Sequence, residues 1–406
     1  MISCNAHSPF SMTSASISSQ TPAPKTNWKL QSFQTGDIFF ASPDRQQRAH
    51  QDSPHLACCA PVSAELIHGL FQQASQQGLN EPVLFGLVPF DTTRNASLTV
   101  TAQPQSAAAV HGEAAIAGSS DARPRIVERH PVPAPERYGD MVRQALQAFA
   151  QGTVKKIVLS RAMDVRMDAP LQYETVLLDL LRRNAHGYTF ALPIWKDGDA
   201  TPQGMMLGAS PELLVRREGA KVFINPLAGS IGRHADPEID RQRREGLAIS
   251  EKDLREHSYV VSDIVRVLRE HCDTLEVPAG PSVIGTDALW HLSTYITGTL
   301  RDPAMTALDL ACALHPTPAI CGYPTAAAFE QIKTLEPFDR EYFAGLVGWQ
   351  KPDGDGEWAL TLRCARYDGD RTLRLYAGAG TVAGSDPDSE IRETATKMET
   401  FMRALA

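Results

Sequence analysis

Between residues 188 and 224 the chain passes through four short β-type segments, Tyr188–Leu192, Met205–Leu207, Leu213–Arg216 and Val222–Ile224, parted by turns that carry Gly. Segments spaced in this way favour antiparallel pairing of neighbours. Helical periodicity interrupts them irregularly. Pro135 is placed to open a helix whose apolar positions Tyr138, Val142, Ala145, Leu146 and Phe149 share one face, and a second periodic stretch covers Thr175 to Arg183. The β-rich Lys156-Ile-Val-Leu-Ser lies between them. Strands and helices that do not alternate argue against a βαβ series and for a mixed α+β architecture.

Upstream, Asp37-Ile-Phe-Phe-Ala and Pro82-Val-Leu-Phe-Gly-Leu-Val-Pro read as strands without evident chemistry. Residues 101–135 turn to Ala, Ser, Gly and Pro without apolar periodicity and read as a long surface connection. No internal repeat is found. The first 25 or so residues are rich in Ser, Thr, Ala and Pro and have no basic segment followed by an apolar one, so residues 1–27 read as a disordered tail and not as a secretory signal.

Composition excludes several function classes. No stretch of eighteen apolar residues could span a membrane. A net charge of -8 without clustered Lys and Arg argues against nucleic acid as a partner. Seven cysteines, an odd number with no CxxC spacing, argue against a disulfide framework or a zinc site and fit a reducing cytoplasm.

Two acidic pairs and one glycine-rich turn carry chemistry. Asp253 and Glu256 stand three apart in a helical context, as do Glu390 and Glu393 near the C-terminus. Each pair therefore shares a helix face. Together they could supply oxygen ligands to Mg2+; taken by spacing alone they could equally be solvated faces. Leu375-Tyr-Ala-Gly-Ala-Gly-Thr-Val-Ala-Gly384 is a strand entering a turn where backbone N–H groups can approach an anion. Its spacing is GxGxxxG, and the chain ends about one helix later. A nucleotide-binding βαβ unit has no room for its returning strand. A carboxylate cradle or a plain tight turn remains.

Ten stretches, in order, resemble the chorismate-utilising enzymes, specifically the isochorismate synthases. They are Lys156-Ile-Val-Leu-Ser-Arg161, Gly208-Ala-Ser-Pro-Glu-Leu213, Pro226-Leu-Ala-Gly-Ser230, Glu251-Lys-Asp-Leu-Arg-Glu-His257, Trp290-His-Leu292, Leu314-His-Pro-Thr-Pro-Ala319, Glu336-Pro-Phe-Asp-Arg340, Gly345-Leu-Val-Gly-Trp349, Arg363-Cys-Ala365, and Ala377-Gly-Ala-Gly380 leading into Glu393-Thr394. The resemblance implies a chorismate-binding domain over 28–406, with 28–125 its N-terminal portion and the catalytic motifs in 130–405. It implies an α+β fold of antiparallel sheets wrapped by helices around a central cleft, acting as a monomer.

It also implies roles. Lys156 matches the general base that activates water, which requires a neutral amine, and Glu212 matches the general acid, which must stay protonated near neutral pH. Glu256 and Glu393 match Mg2+ ligands, with Asp253 and Glu390 in support; the metal would hold the ring carboxylate of chorismate. Arg363 and the Gly380 N–H fit the enolpyruvyl carboxylate, and Lys397 balances charge around the metal. Gly229 and Ser230 line the ring side, His291 positions substrate and Phe343 packs on it. Relatives that eliminate pyruvate usually have Thr where this chain has Ala319, which favours isochorismate as product over salicylate. The likeness is strongest to siderophore-pathway enzymes, with salicylate synthase and the menaquinone-pathway isochorismate synthase as alternatives.

Overall fold

The computed structural model describes residue 30 and residues 32–108 and 123–405. The tail expected over 1–27 lies outside them. Every strand pairing recorded among the described residues is antiparallel, as the short turns predict, and eight helices accompany the strands.

Two large sheets dominate. One runs Gly322–Tyr323, Lys156–Met167, Thr372–Val382, Cys364–Tyr367, Met205–Ser210, Tyr188–Pro193, Ile38–Ala41, Arg45–Ala49 and Gln105–Ala108, with Ile126–Val132 also on Lys156–Met167. The other has nine strands, centred on Leu213–Glu218, Gly356–Leu360 and Leu346–Gln350. A three-stranded sheet of Leu227–Gly232, Leu289–Ser293 and Ser282–Gly285 completes the set.

The larger sheet is covered on both faces, which explains its unbroken apolar runs. Successive side chains of a strand point to opposite faces. Accordingly Ile38 and Phe40 join the core shared with the nine-stranded sheet, whereas Phe39 and Ala41 join a second core with Leu177 and Leu180 of the helix Tyr173–Arg183.

Two sequence expectations need correction. Met205–Ser210 pairs with Tyr188–Pro193, and Leu213–Glu218 pairs with Lys221–Asn225, but the two middle strands do not pair with each other. The chain leaves one large sheet at Ser210 and enters the other at Leu213, so Pro211 and Glu212 bridge the sheets. The stretch 101–135 is also not a simple surface connection. Gln105–Ala108 pairs with Arg45–Ala49, and Ile126–Val132 pairs with Lys156–Met167. These are largely exposed strands held by ladder hydrogen bonds, so their sequences carry no apolar alternation.

Both acidic pairs sit near helix starts. Ser250 caps Glu251–His271 by accepting from the Asp253 N–H, and Asp386 caps Pro387–Met402 by accepting from the Ser389 N–H, with Pro387 in the first turn.

Candidate active site

A cleft with about 660 Å³ of space between its walls opens where the two large sheets and the three-stranded sheet meet. The chain crossing puts Glu212 in its wall. Gly229 and Ser230 come from the three-stranded sheet, as does His291, and Glu256 and Glu393 enter from the two capped helices. Ala319, Phe343, Arg363, Gly380 and Lys397 complete the wall. Eleven of the fourteen residues picked out in the sequence thus face one space.

The other three lie behind it. Lys156, fully buried, reaches Glu256 Oε1 at 3.0 Å. Asp253 receives the Ser250 hydroxyl at 2.5 Å, and Glu390 is buried with Lys252 Nζ at 3.4 Å. Asp253 and Glu390, expected in support of Glu256 and Glu393, thus do not line the cleft themselves. Among the described residues no three His, Cys, Asp or Glu side chains stand gathered as a ready ligand set. Glu256 is held by Lys156, and Glu393 by Lys397 at 2.6 Å.

The electrostatics nevertheless describe a site short of positive charge. Burial first, and then the Glu393 charge, push the Glu390 carboxyl up to about 7. Burial raises Asp253 as well, reinforced by Glu256 and Glu393. Glu390 Oε2 is buried without a hydrogen-bond partner. Oxygen ligands without nitrogen or sulfur, one of them unsatisfied, suit a hard divalent cation such as Mg2+.

Burial also pushes Glu212 up to about 7, against the opposing influence of the Leu227 N–H, which donates to Glu212 Oε1 at 3.2 Å. Its carboxyl can hold a proton near neutral pH, the condition the sequence reading demanded of an acid. Arg363 has no carboxylate within ion-pair distance among the described residues, and burial draws its guanidinium down to about 10. A cation so placed in a cleft wall is disposed to take an anion. His291 is kept neutral by burial, with Nδ1 2.8 Å from Ser230 Oγ and its buried Nε2 without a partner. Gly380 leaves room for a side chain only if the Glu256 carboxylate moves. A Cβ there would run into Glu256 Oε1 and lie 3.3 Å from Lys156 Cε.

Sequence reasoning missed several wall residues. Tyr376 lies flat on Phe343, ring centroids 5.1 Å apart and planes 7° apart, and Val158 and Ser160 line the cleft from the strand that begins at Lys156. An alternation of sides after Lys156 could have pointed to Val158 and Ser160; nothing local marks Tyr376. His257, part of the acidic motif, is structural: it bridges Ala228 O at 3.2 Å and Thr294 Oγ1 at 2.7 Å.

Sheets enclosing a cleft with paired acidic, basic and anion-seeking groups define a small-molecule enzyme, and the chain belongs to the chorismate-binding enzyme family, whose model matches residues 87–406. At the level of particular proteins it is 43% identical over 390 residues to the isochorismate synthase DhbC of Bacillus subtilis, covering 94% of this chain and 96% of that one. It is 39% identical over 373 residues to the isochorismate synthase EntC of Escherichia coli K12, covering 90% and 93%. A solved structure from Bacillus anthracis, assigned as a 2,3-dihydroxybenzoate-specific isochorismate synthase, superposes with a TM-score of 0.83 at 42% identity, covering 93% of this chain and 98% of that one. An anthranilate synthase component I from Streptococcus pneumoniae, at 21% identity and a TM-score of 0.65, shares the fold, covering 80% and 81%.

Proposed function

We propose that this protein is an isochorismate synthase, isomerising chorismate by adding water at one ring carbon and losing the hydroxyl of another as water. The reading rests above all on Glu212, a carboxyl raised by burial to about 7 within the same cleft as Arg363 and Glu256.

Mg2+, held by Glu256 and Glu393 with Asp253 and Glu390 in support, would supply charge neutralisation for the ring carboxylate of chorismate. Arg363 binds the enolpyruvyl carboxylate with its planar fork, helped by the N–H of Gly380. Lys156 takes a proton from the attacking water, and Glu212 gives its proton to the departing hydroxyl. Ring double bonds shift between the two carbons and no redox change occurs. His291 offers Nε2 to the substrate from a ring oriented by Ser230, Phe343 packs on the substrate, and Lys397 balances the acidic cluster through Glu393 and through Gly378 O at 3.0 Å.

The product serves siderophore synthesis in this reading, supported by the likeness to DhbC, EntC and the vibriobactin-specific isochorismate synthase of Vibrio cholerae, 40% identical over 379 residues. Free cysteines fit a reducing cytoplasm, and no described helix is long and apolar enough to cross a membrane. The test is incubation of the purified protein with chorismate, with and without Mg2+, and chromatographic resolution of isochorismate, salicylate and pyruvate. Isochorismate alone, dependent on Mg2+, supports the proposal; stoichiometric pyruvate with salicylate replaces it with the lyase, and no conversion removes it.

A further inference from the structure

The motif Glu336-Pro-Phe-Asp-Arg340 matches the family yet neither of its charged ends lines the cleft. Both are buried, 2% and 3% exposed at the side chain, and they form an ion pair with Nε at 2.8 Å and Nη2 at 2.6 Å from the two carboxylate oxygens.

The pair fills a gap in the largest sheet. On one edge of Lys156–Met167, Gly322–Tyr323 pairs with residues 156 and 157, and Ile126–Val132 pairs only from Ala162 onward. Among the described residues no strand accompanies 158–161 there. Instead Ser160 N–H donates to Glu336 Oε1 at 2.7 Å, and Arg340 Nη2 donates to Val158 O at 2.6 Å. The ion pair makes hydrogen bonds that a neighbouring strand would otherwise make.

Its remaining contacts reach the other walls. Arg340 Nη1 donates to Ile320 O at 2.8 Å, next to Ala319. The guanidinium lies 5.9 Å from the ring centre of Phe343 on one side and 4.4 Å from that of Phe90 on another. Three pieces of the cleft wall, Val158 with Ser160, Ile320 next to Ala319, and Phe343, therefore meet the Glu336–Arg340 pair. A second strand at this edge would support the first piece alone.

We infer that Glu336 and Arg340 are positioning residues of the active site, a side-chain strut that sets the distance between the strand carrying Lys156 and the aromatic wall against which the substrate packs. The inference rests on the function proposed above. Neither residue touches substrate or metal. Misplacing reacting groups by about 1 Å can cost on the order of 100-fold in rate. Lys at 340 keeps the charge but cannot serve two carbonyls and two carboxylate oxygens in one plane.

Arg340→Lys and Glu336→Gln are compared with the unaltered enzyme at a temperature where circular dichroism shows each fully folded. Expected is a fall in kcat for chorismate of about 100-fold for Arg340→Lys and a smaller fall for Glu336→Gln, which keeps an acceptor for Ser160. Mg2+ affinity measured by calorimetry should not fall in parallel with kcat, because the hydrogen bonds of the pair go to Ser160, Val158 and Ile320 and not to the helices carrying Glu256 and Glu393. A lowered melting temperature with unchanged kcat in the folded variants would make the pair merely structural and overturn the inference. Equal loss of kcat and Mg2+ affinity would overturn it too. Amide exchange separates it from the functional proposal: if the unaltered enzyme leaves chorismate intact, the function fails, while faster Ser160 amide exchange in Glu336→Ala, which removes the acceptor, still reports the strut, and unchanged exchange there removes it.

Discussion

Lys156 Nζ lies 3.0 Å from Glu256 Oε1, so the first residue of the long strand is tied to the acidic helix from behind the cleft wall. The carboxylate that would ligate a metal is thus occupied by the amine that would act as base. Lys156→Met, which keeps apolar bulk, should lower turnover by at least about 100-fold through loss of the base. The same change frees Glu256, and calorimetric titration should find Mg2+ bound more tightly than in the unaltered protein. Equal or weaker Mg2+ binding would show that the Lys156 amine and the metal do not compete for Glu256.

Glu212 provides a pH signature. Its folded-state pKa, about 7, lies above its ordinary value of 4.5, so the folded state binds the extra proton between these limits. The group therefore favours folding at low pH, and its contribution declines as pH rises from about 4.5 to 7. The upward shift corresponds to roughly 3 kcal/mol across that window. Glu212→Gln should flatten this part of the stability curve, measured by urea unfolding from pH 4.5 to 8, while turnover falls by about 100-fold or more. In the unaltered enzyme the activity limb that requires the acid should fall as pH passes through about 7. A Gln variant with the same pH slope would assign that proton elsewhere.

Arg363 should report on binding of the substrate anion. A charged hydrogen bond contributes about 1.5–3 kcal/mol, so Arg363→Ala should weaken chorismate binding by roughly 10-fold to 100-fold. Direct titration with chorismate at saturating Mg2+ measures it. Unchanged affinity would move the enolpyruvyl carboxylate to another cation.

Gly380→Ala places a methyl group where Glu256 and Lys156 meet. The strand Thr372–Val382 pairs along its length with Lys156–Met167, so the backbone has little freedom to retreat. Loss of kcat/KM by about 100-fold is expected, with the Lys156–Glu256 contact displaced. Steady-state kinetics on the folded variant checks this, and near-normal activity would show that Glu256 can turn away at little cost.

The parts of this site that depend on neighbours in the chain were legible early. The i,i+3 spacing puts Asp253 with Glu256 and Glu390 with Glu393 on common helix faces whatever the rest of the chain does, because helical geometry is local. The GxGxxxG spacing argued against a dinucleotide fold, and dense Gly-bearing turns implied antiparallel sheets, which every recorded pairing bears out. The exposed strands at Gln105–Ala108 and Ile126–Val132 escaped notice because edge strands held by backbone hydrogen bonds need no apolar pattern.

Other features were settled only when distant segments packed together. Local sequence cannot say that the chain leaves one sheet at Ser210 and joins another at Leu213, yet this crossing buries Glu212 and raises its pKa. Nor does residue type reveal that Lys156 meets Glu256, that Tyr376 stacks on Phe343, or that Asp253 and Glu390 stand behind the wall. Sequence determined which groups were present and which helix face or strand carried them. Tertiary packing determined their distances and their separation from water, and Coulomb interactions and desolvation depend on those two quantities.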